Sequence, residues 1–221
     1  MKTYPLSALV FDFDLYPRGS VDSQHVSEIT VAMQAGVAMP PLVIDAKSKR
    51  VIDGFHRGRA YKHLFGEDHK IECVEKAYKS EKDMFIDAMR YNAAHGRALT
   101  QHDRAHCILL AKKFEIDNAT LATALNVTPE RIGELTASRI GSVSGRPIAL
   151  KQTIRHKAGQ ELTSQQASAN DKLSGMNQLF YVNQLVTLIE NDLIDTDNED
   201  LIKGLEHLAR LLKDFSKRKA A

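Results

Sequence analysis

The chain has 221 residues, 43% hydrophobic and 26% charged, with a formal net charge of +2; its length allows one or two domains, and two are expected. No apolar run reaches membrane-spanning length, and the start MKTYPLSALVFDFD acquires Asp12 and Asp14 too early for a signal peptide, so a cytoplasmic protein with no membrane partner is expected. Cys73 and Cys107 are too few and too far apart for a disulfide framework or a zinc knuckle, and read as buried small hydrophobes.

In the first third, LSALVF (6–11), PLVID (41–45), RVID (50–53) and KIECVE (70–75) have the β-branched character of strands. Residues 23–36 space Val26, Ile29, Val31 and Met33 as a helix does and end on Gly36, a candidate C-terminal cap. A second helix is predicted from just after Gly54 to Phe65, closed by Gly66. From Ser80 onward strand signals disappear and the chain is predicted to be all-helical. Residues 80–95 present Met84, Phe85, Ala88 and Met89 on one face behind a serine cap. Residues 100–114 present Ala105, Ile108, Leu109 and Ala111 behind Thr100 and Asp103.

The stretch RVIDGFHRGRAYKHLFG (50–66) gathers three arginines, a lysine and two histidines around one Asp-Gly turn. A glycine at a strand-to-helix turn lets backbone approach a phosphate, and the helix start offers unpaired N–H groups and the positive end of its dipole. Arg57 in the first turn can make forked contacts to phosphate oxygens, and His56 can donate or shuttle a proton near neutrality. Arg59 and Lys62 lie further along the helix; Arg57 and Arg59, two residues apart, do not share a face, and Arg57 is preferred as the direct contact. Asp53 would either hold Mg²⁺ beside phosphate oxygens or act as a turn residue bonded to the backbone after it. His56 would alternatively be a hydrogen-bonded, half-buried side chain, and Phe55 would pack under the loop or stack on a base. Asp12, Asp14 and Glu28 are further carboxylates that the fold could bring near.

Residues 119–140 have the three-part spacing of a helix-turn-helix: Leu121, Ala122 and Leu125 inward, a turn at Asn126-Val127, and a second helix capped by Thr128 with Pro129 at its first position. Ile132 and Leu135 complete that core, leaving Glu130, Arg131, Glu134, Thr136, Ser138 and Arg139 outward. Such a unit reads DNA with its second helix in the major groove; the plainer alternative is a structural helical hairpin. Residues 139–172 carry six basic against two acidic side chains, the local charge surplus of the chain. The expected DNA contacts are therefore Thr128, Arg131, Ser138 and Arg139 on the helix, and Arg146, Lys151 and Arg155 in a glycine- and serine-rich loop that touches phosphates or is simply solvated. His95, His102 and His106 would share a face only on one continuous helix; Gly96 and Thr100 divide the region, so no metal site is expected.

A short helix capped by Thr163 is predicted to end near Gly175. Two amphipathic helices follow at 176–193 and 201–215, read as an antiparallel hairpin that either closes the helical core or pairs with a second copy in a homodimer.

The order DLYPRGSVD (14–22), helix, PPLVID (40–45), RVIDGFHRGRAY (50–61), YNAAHGRALT (91–100) and helix-turn-helix resembles the ParB family over roughly the first 140 residues. The resemblance implies an α+β fold, with a small mixed-sheet ParB/sulfiredoxin-like domain followed by a helical DNA-binding domain; taken with the helical patterns above, the chain is expected to divide into the first at 1–79, the second at 80–160, and C-terminal helices at 161–221. It also implies a nucleoside triphosphate, CTP or ATP with Mg²⁺, held by Arg18, Gly54, Phe55, His56, Arg57, Arg59 and Asn92. Partition members usually carry Gly-Glu-Arg-Arg where this chain has Gly54-Phe55-His56-Arg57; the Asp-Gly-x-His-Arg form is similar to that of ATP-using and nuclease-like relatives. Sulfiredoxin chemistry needs a cysteine here, and the loop has none. The leading expectation is a DNA-binding protein of nucleoid, plasmid or phage, acting in partition or transcriptional control. The alternative is a nuclease or NTP-hydrolysing or phosphotransfer enzyme, with Asp53, His56 and Arg57 in metal binding, proton transfer and phosphate stabilisation.

Overall fold

The computed structural model describes residues 1–94, 97–173 and 175–220. The chain divides into two compact units, Met1–Gly175 and a second beginning at Met176.

The first unit opens with β1 (Lys2–Pro5), followed by α1 (Ser23–Gln34), β2 (Leu42–Asp45), β3 (Val51–Asp53), α2 (Phe55–Phe65) and β4 (Lys70–Lys76). The four strands form one mixed sheet in the order β1-β4-β2-β3, with β4 and β2 parallel and both outer pairs antiparallel. Alternation along the strands sorts side chains onto two faces. Leu42, Ile44 and Val51 join Leu6, Leu9, Tyr16 and Phe55 in one core, whereas Val43 and Ile52 point into the other with Leu15. Because β2 is covered on both faces, all four of its residues are buried and its sequence shows no polar alternation.

The second core is helical. It is built by α3 (Glu81–Ala94), α4 (Gln101–Lys113), α5 (Asn118–Ala124) and α6 (Pro129–Arg139). The predicted inward residues Met84, Phe85, Ala88, Met89, Leu121, Ala122, Leu125, Ile132 and Leu135 are all buried in it. Asn126 has φ +52°, the left-handed turn conformation expected between α5 and α6. Since Leu15, Val43 and Ile52 pack in this same core, residues 1–79 and the helices share one interior, and the chain has no physical break at 79/80.

Two secondary-structure expectations are corrected. Residues 6–8 form a 3-10 turn rather than a strand, and the strand at this edge is β1, ending at Pro5, whose ring removes the N–H that would continue the ladder. The chain after Ser80 is not all-helical: β5 (Ile140–Val143) and β6 (Arg146–Ala149) form a hairpin. Ser144 and Gly145, both at positive φ, make its two-residue turn. A 3-10 segment at Gln152–Lys157 and α7 (Ser164–Lys172), with a Thr163–Gln166 capping box, complete the unit.

The second unit contains α8 (Gln178–Glu190) and α9 (Glu199–Ala220). No residue of α8 is buried, and Leu179, Val182, Val186 and Ile189 on α8 and Leu212 and Phe215 on α9 are exposed. No helix among the described residues is long and apolar enough to cross a membrane.

Candidate functional site

The turn from β3 into α2 depends on Gly54. Its φ of +107° suits only glycine, and a Cβ there would lie 2.7 Å from Leu42 Cγ. Gly58, one turn on, lets Phe11 approach: a Cβ would sit 2.4 Å from its ring. Every other α-helix start has a side-chain acceptor, from Asp22, Ser80, Thr100, Asp117, Thr128, Thr163, Asn177 and Asn198 in turn. Among the described residues the start of α2 has none, which leaves its first N–H groups open to a ligand.

They face a cleft of about 570 Å³ lined by Tyr16, Arg18, His25, Pro40, Pro41, Asp53, Gly54, Phe55, His56, Arg57, Tyr91, Asn92 and Arg97, among others. Six of the seven residues expected to hold a triphosphate thus meet here from three separate stretches of sequence. Arg59 does not: it is exposed on the opposite side of α2, beside Val21 and His63. This is the two-residue offset acting as a helix requires.

The charges within the cleft are organised. Arg57 Nη2 donates to Asp53 at 2.8 Å, while Nη1 donates to the carbonyls of Pro40 and Pro41 at 2.6 and 3.1 Å. Asp53 is therefore the counter-ion of Arg57, a role outside both sequence expectations. Arg18 is buried; its Nε donates to Asn92 Oδ1 at 3.2 Å, its Nη1 lies 3.6 Å from Asp103, and it also bonds the carbonyl of Arg97. Asn92 is fixed in turn by donating to the carbonyl of Ala88 at 2.9 Å.

His56 Nε2 accepts the Asp22 N–H at 3.2 Å, which places the proton of the neutral ring on Nδ1. Burial, reinforced by neighbouring His25 and Arg18, pushes its pKa down to about 4. This corrects the expectation of a group titrating near neutrality: His56 is an uncharged hydrogen-bonding ring at physiological pH. Phe55 is buried and stacks on Tyr16, with ring centroids 4.2 Å apart, while Phe11 and Phe13 meet its edge. It supports the floor rather than offering a free face to a base. Asp12, Asp14 and Glu28 bond Arg50, Lys113 and His25 respectively, and none is among the lining residues.

Sequence reasoning missed Tyr16, Arg97, Asp22 and His25. Tyr16 is 2% exposed and its hydroxyl has no hydrogen-bond partner among the described residues, a donor waiting for an acceptor. Nothing in the sequence marks it. Asp22 had a local signal, an acidic residue just before a helical pattern, where it caps α1.

On the helix-turn-helix, Thr128 and Ser138 are exposed and Arg131 is partly exposed, paired with Glu134. Arg146 and Arg155 are exposed as well, on the hairpin and the 3-10 segment. Two residues depart from the expected surface. Arg139 is 5% exposed and bonds the amide oxygens of Gln101 and Gln152, because β5 and the 3-10 segment fold back over the end of α6. Lys151 donates to the carbonyls of Asp171 and Leu173 at 2.7 and 2.5 Å. His102 and His106 are held below their usual pKa by burial, and no cluster of His, Cys, Asp and Glu suited to a metal occurs among the described residues, to which His95 and Gly96 do not belong.

No family profile matches the chain. It is 26% identical over 158 residues to a Streptomyces griseus protein described as a streptomycin biosynthesis operon possible regulatory protein, covering 66% of this chain and 44% of that one. It is 27% identical over 125 residues to the transcriptional regulator NovG of Streptomyces niveus, covering 56% and 38%. The chain thus spans less than half the length of either curated relative. It is also similar to solved ParB N-domain structures. One is the C-terminally truncated chromosome-partitioning protein ParB of Caulobacter crescentus complexed to the centromeric parS site, with a TM-score of 0.43, 13% identity, and coverage of 61% of this chain and 70% of that one.

Proposed function

We propose that this chain is a ParB-like DNA-binding regulatory protein whose helix-turn-helix contacts DNA and whose Gly54 cleft takes a nucleoside triphosphate. The observation that carries the DNA reading is α6, which buries Ile132 and Leu135 and keeps Thr128, Arg131 and Ser138 outward beside the exposed Arg146 and Arg155. An outward second helix flanked by cations is the arrangement that enters a major groove and engages phosphates on either side. The curated relatives, both described as regulatory proteins, support transcriptional control over partition.

The cleft fits a nucleotide. Its volume lies in the range of small-molecule sites, and the uncapped start of α2, Arg18, Arg57 and Arg97 supply phosphate donors. The orphan Tyr16 hydroxyl and Asn92 would orient the ligand. Binding, rather than turnover, is favoured by Asp53, whose carboxylate is engaged by Arg57 instead of being open to a cation. The exposed apolar faces of α8 and α9 suit a second copy, and a dimer would match a two-fold DNA site.

Three measurements test these parts separately. Salt-dependent binding to random duplex DNA is expected, weakened by Arg131→Ala with Arg146→Ala; unchanged affinity overturns the helix-turn-helix reading. CTP or ATP with Mg²⁺ is expected to raise the melting temperature, and no rise with any of the four triphosphates removes the nucleotide. Sedimentation is expected to give a dimer that Val186→Glu with Leu212→Glu converts to a monomer.

A further inference from the structure

Besides the Gly54 cleft, a second cleft of about 510 Å³ lies between the 18–22 loop, the start of α4 and the segment after β6. Four cations line it: Arg18, Arg97, Arg139 and Lys151. Its two carboxylates are already engaged, Asp103 with Arg18 and Asp22 with Arg97. Arg139 and Lys151 have no carboxylate within ion-pairing distance among the described residues, and bond only neutral amide and carbonyl oxygens. Arg139 is the telling case. It is 5% exposed, and burial together with the charges of Arg155 and Arg131 works against its cationic form.

A buried guanidinium without a counter-ion is costly, and a fold retains one where an anion completes it. Both Arg139 bonds leave from Nη2, so the Nε–H and the Nη1 hydrogens remain as donors to an anion. The cleft is too small for a duplex and amply large for a phosphate group and what carries it.

We infer that the cleft between Arg139, Lys151 and the start of α4 binds the phosphate of a small molecule. The site is separate from the proposed nucleotide cleft, though Arg18 and Arg97 line both. Arg139 and Lys151 accordingly serve this ligand instead of the DNA backbone.

Pyrophosphate, titrated into the full chain at constant ionic strength, is the probe. The side-chain amide resonances of Gln101 and Gln152 are expected to shift saturably, and the melting temperature to rise by about 5 °C at roughly one hundred times Kd. Both responses are expected to persist in Arg57→Ala, which disables the first cleft alone, and to vanish in Arg139→Met and in Lys151→Gln. Lys151 is partly exposed, so its substitution reports even if Arg139→Met fails to fold. The inference is overturned if the Gln101 and Gln152 resonances do not move, if they move equally in chloride, if they still move in Lys151→Gln, or if only duplex DNA moves them.

Discussion

The two clefts share a wall of Arg18 and Arg97 and nevertheless treat their remaining cations in opposite ways. In the first, Arg57 is neutralised by Asp53 four residues earlier in the same turn. In the second, Arg139 is buried more deeply and meets only amide oxygens from distant segments. A local ion pair lets a cation wait in a cleft at little cost, whereas a buried cation without one ties the stability of its surroundings to whatever anion arrives.

The largest way to break the contrast is to destroy one cleft and spare the other. Gly54→Ala adds positive-φ strain and a 2.7 Å approach to Leu42, and is expected to cost about 3 kcal/mol in urea unfolding while the surviving folded protein keeps the pyrophosphate response. Acid comes next. His56 is pushed down to about 4, below its usual value near 6.5. The unfolded chain therefore takes up a proton below about pH 6.5 that the folded protein refuses until about pH 4, and stability falls as pH falls through that window. Between pH 7 and 5 the loss from this ring is about 2 kcal/mol, and His56→Gln is expected to flatten the curve by that amount. His102 and His106 are lowered too and contribute with the same sign.

A sharper version compares the two arginines directly. Arg57→Ala leaves Asp53 half-buried without its partner and is expected to destabilise by about 1–2 kcal/mol, measured by denaturation. Arg139→Met, in the absence of any anion, is expected to be neutral or stabilising, since an apolar side chain of similar length removes an uncompensated buried charge. The smallest effect on the fold is that of Arg131→Ala, a control outside both clefts. Stability should change by no more than about 0.5 kcal/mol, and the slope of log affinity for DNA against log salt should fall by about one.

Features set by neighbours in sequence were the ones visible there. Thr100, Thr128 and Thr163 announce helix starts because a cap needs only the three residues that follow it. Gly54 could be identified because the turn it makes lies between an apolar strand and a helical pattern. The β5–β6 hairpin escaped because its turn residues, Ser144 and Gly145, sit in a stretch of glycine, serine and spaced cations, and Pro147 argues against a strand except at an edge. Arg139 escaped for a different reason. It lies four residues after Leu135 and seven after Ile132, on the buried face of α6, but its charge at the helix end made it read as a surface cation; the returning chain completes its cover, with the Leu150 N–H bonding the Arg139 carbonyl at 2.7 Å. The convergence of Arg18, Asn92 and Arg97 followed from family resemblance for the first two and was invisible for the third. The orphan hydroxyl of Tyr16 depends wholly on what surrounds it in three dimensions.

The sheet order has a consequence for how the chain is made. Strand β1 pairs with β4, so Lys2 lies opposite Cys73 and Tyr4 opposite Ile71. The parallel edge of β2 also waits for β4. A nascent chain ending before residue 70 therefore holds the β2–β3 ribbon and α2 with one strand edge open, and Leu42 and Ile44 short of their cover from Ile71 and Cys73. The closure that ends this exposure is long-range and correspondingly slow. Until β4 emerges, the open edge of β2 is the surface on which a partly made chain would associate with another.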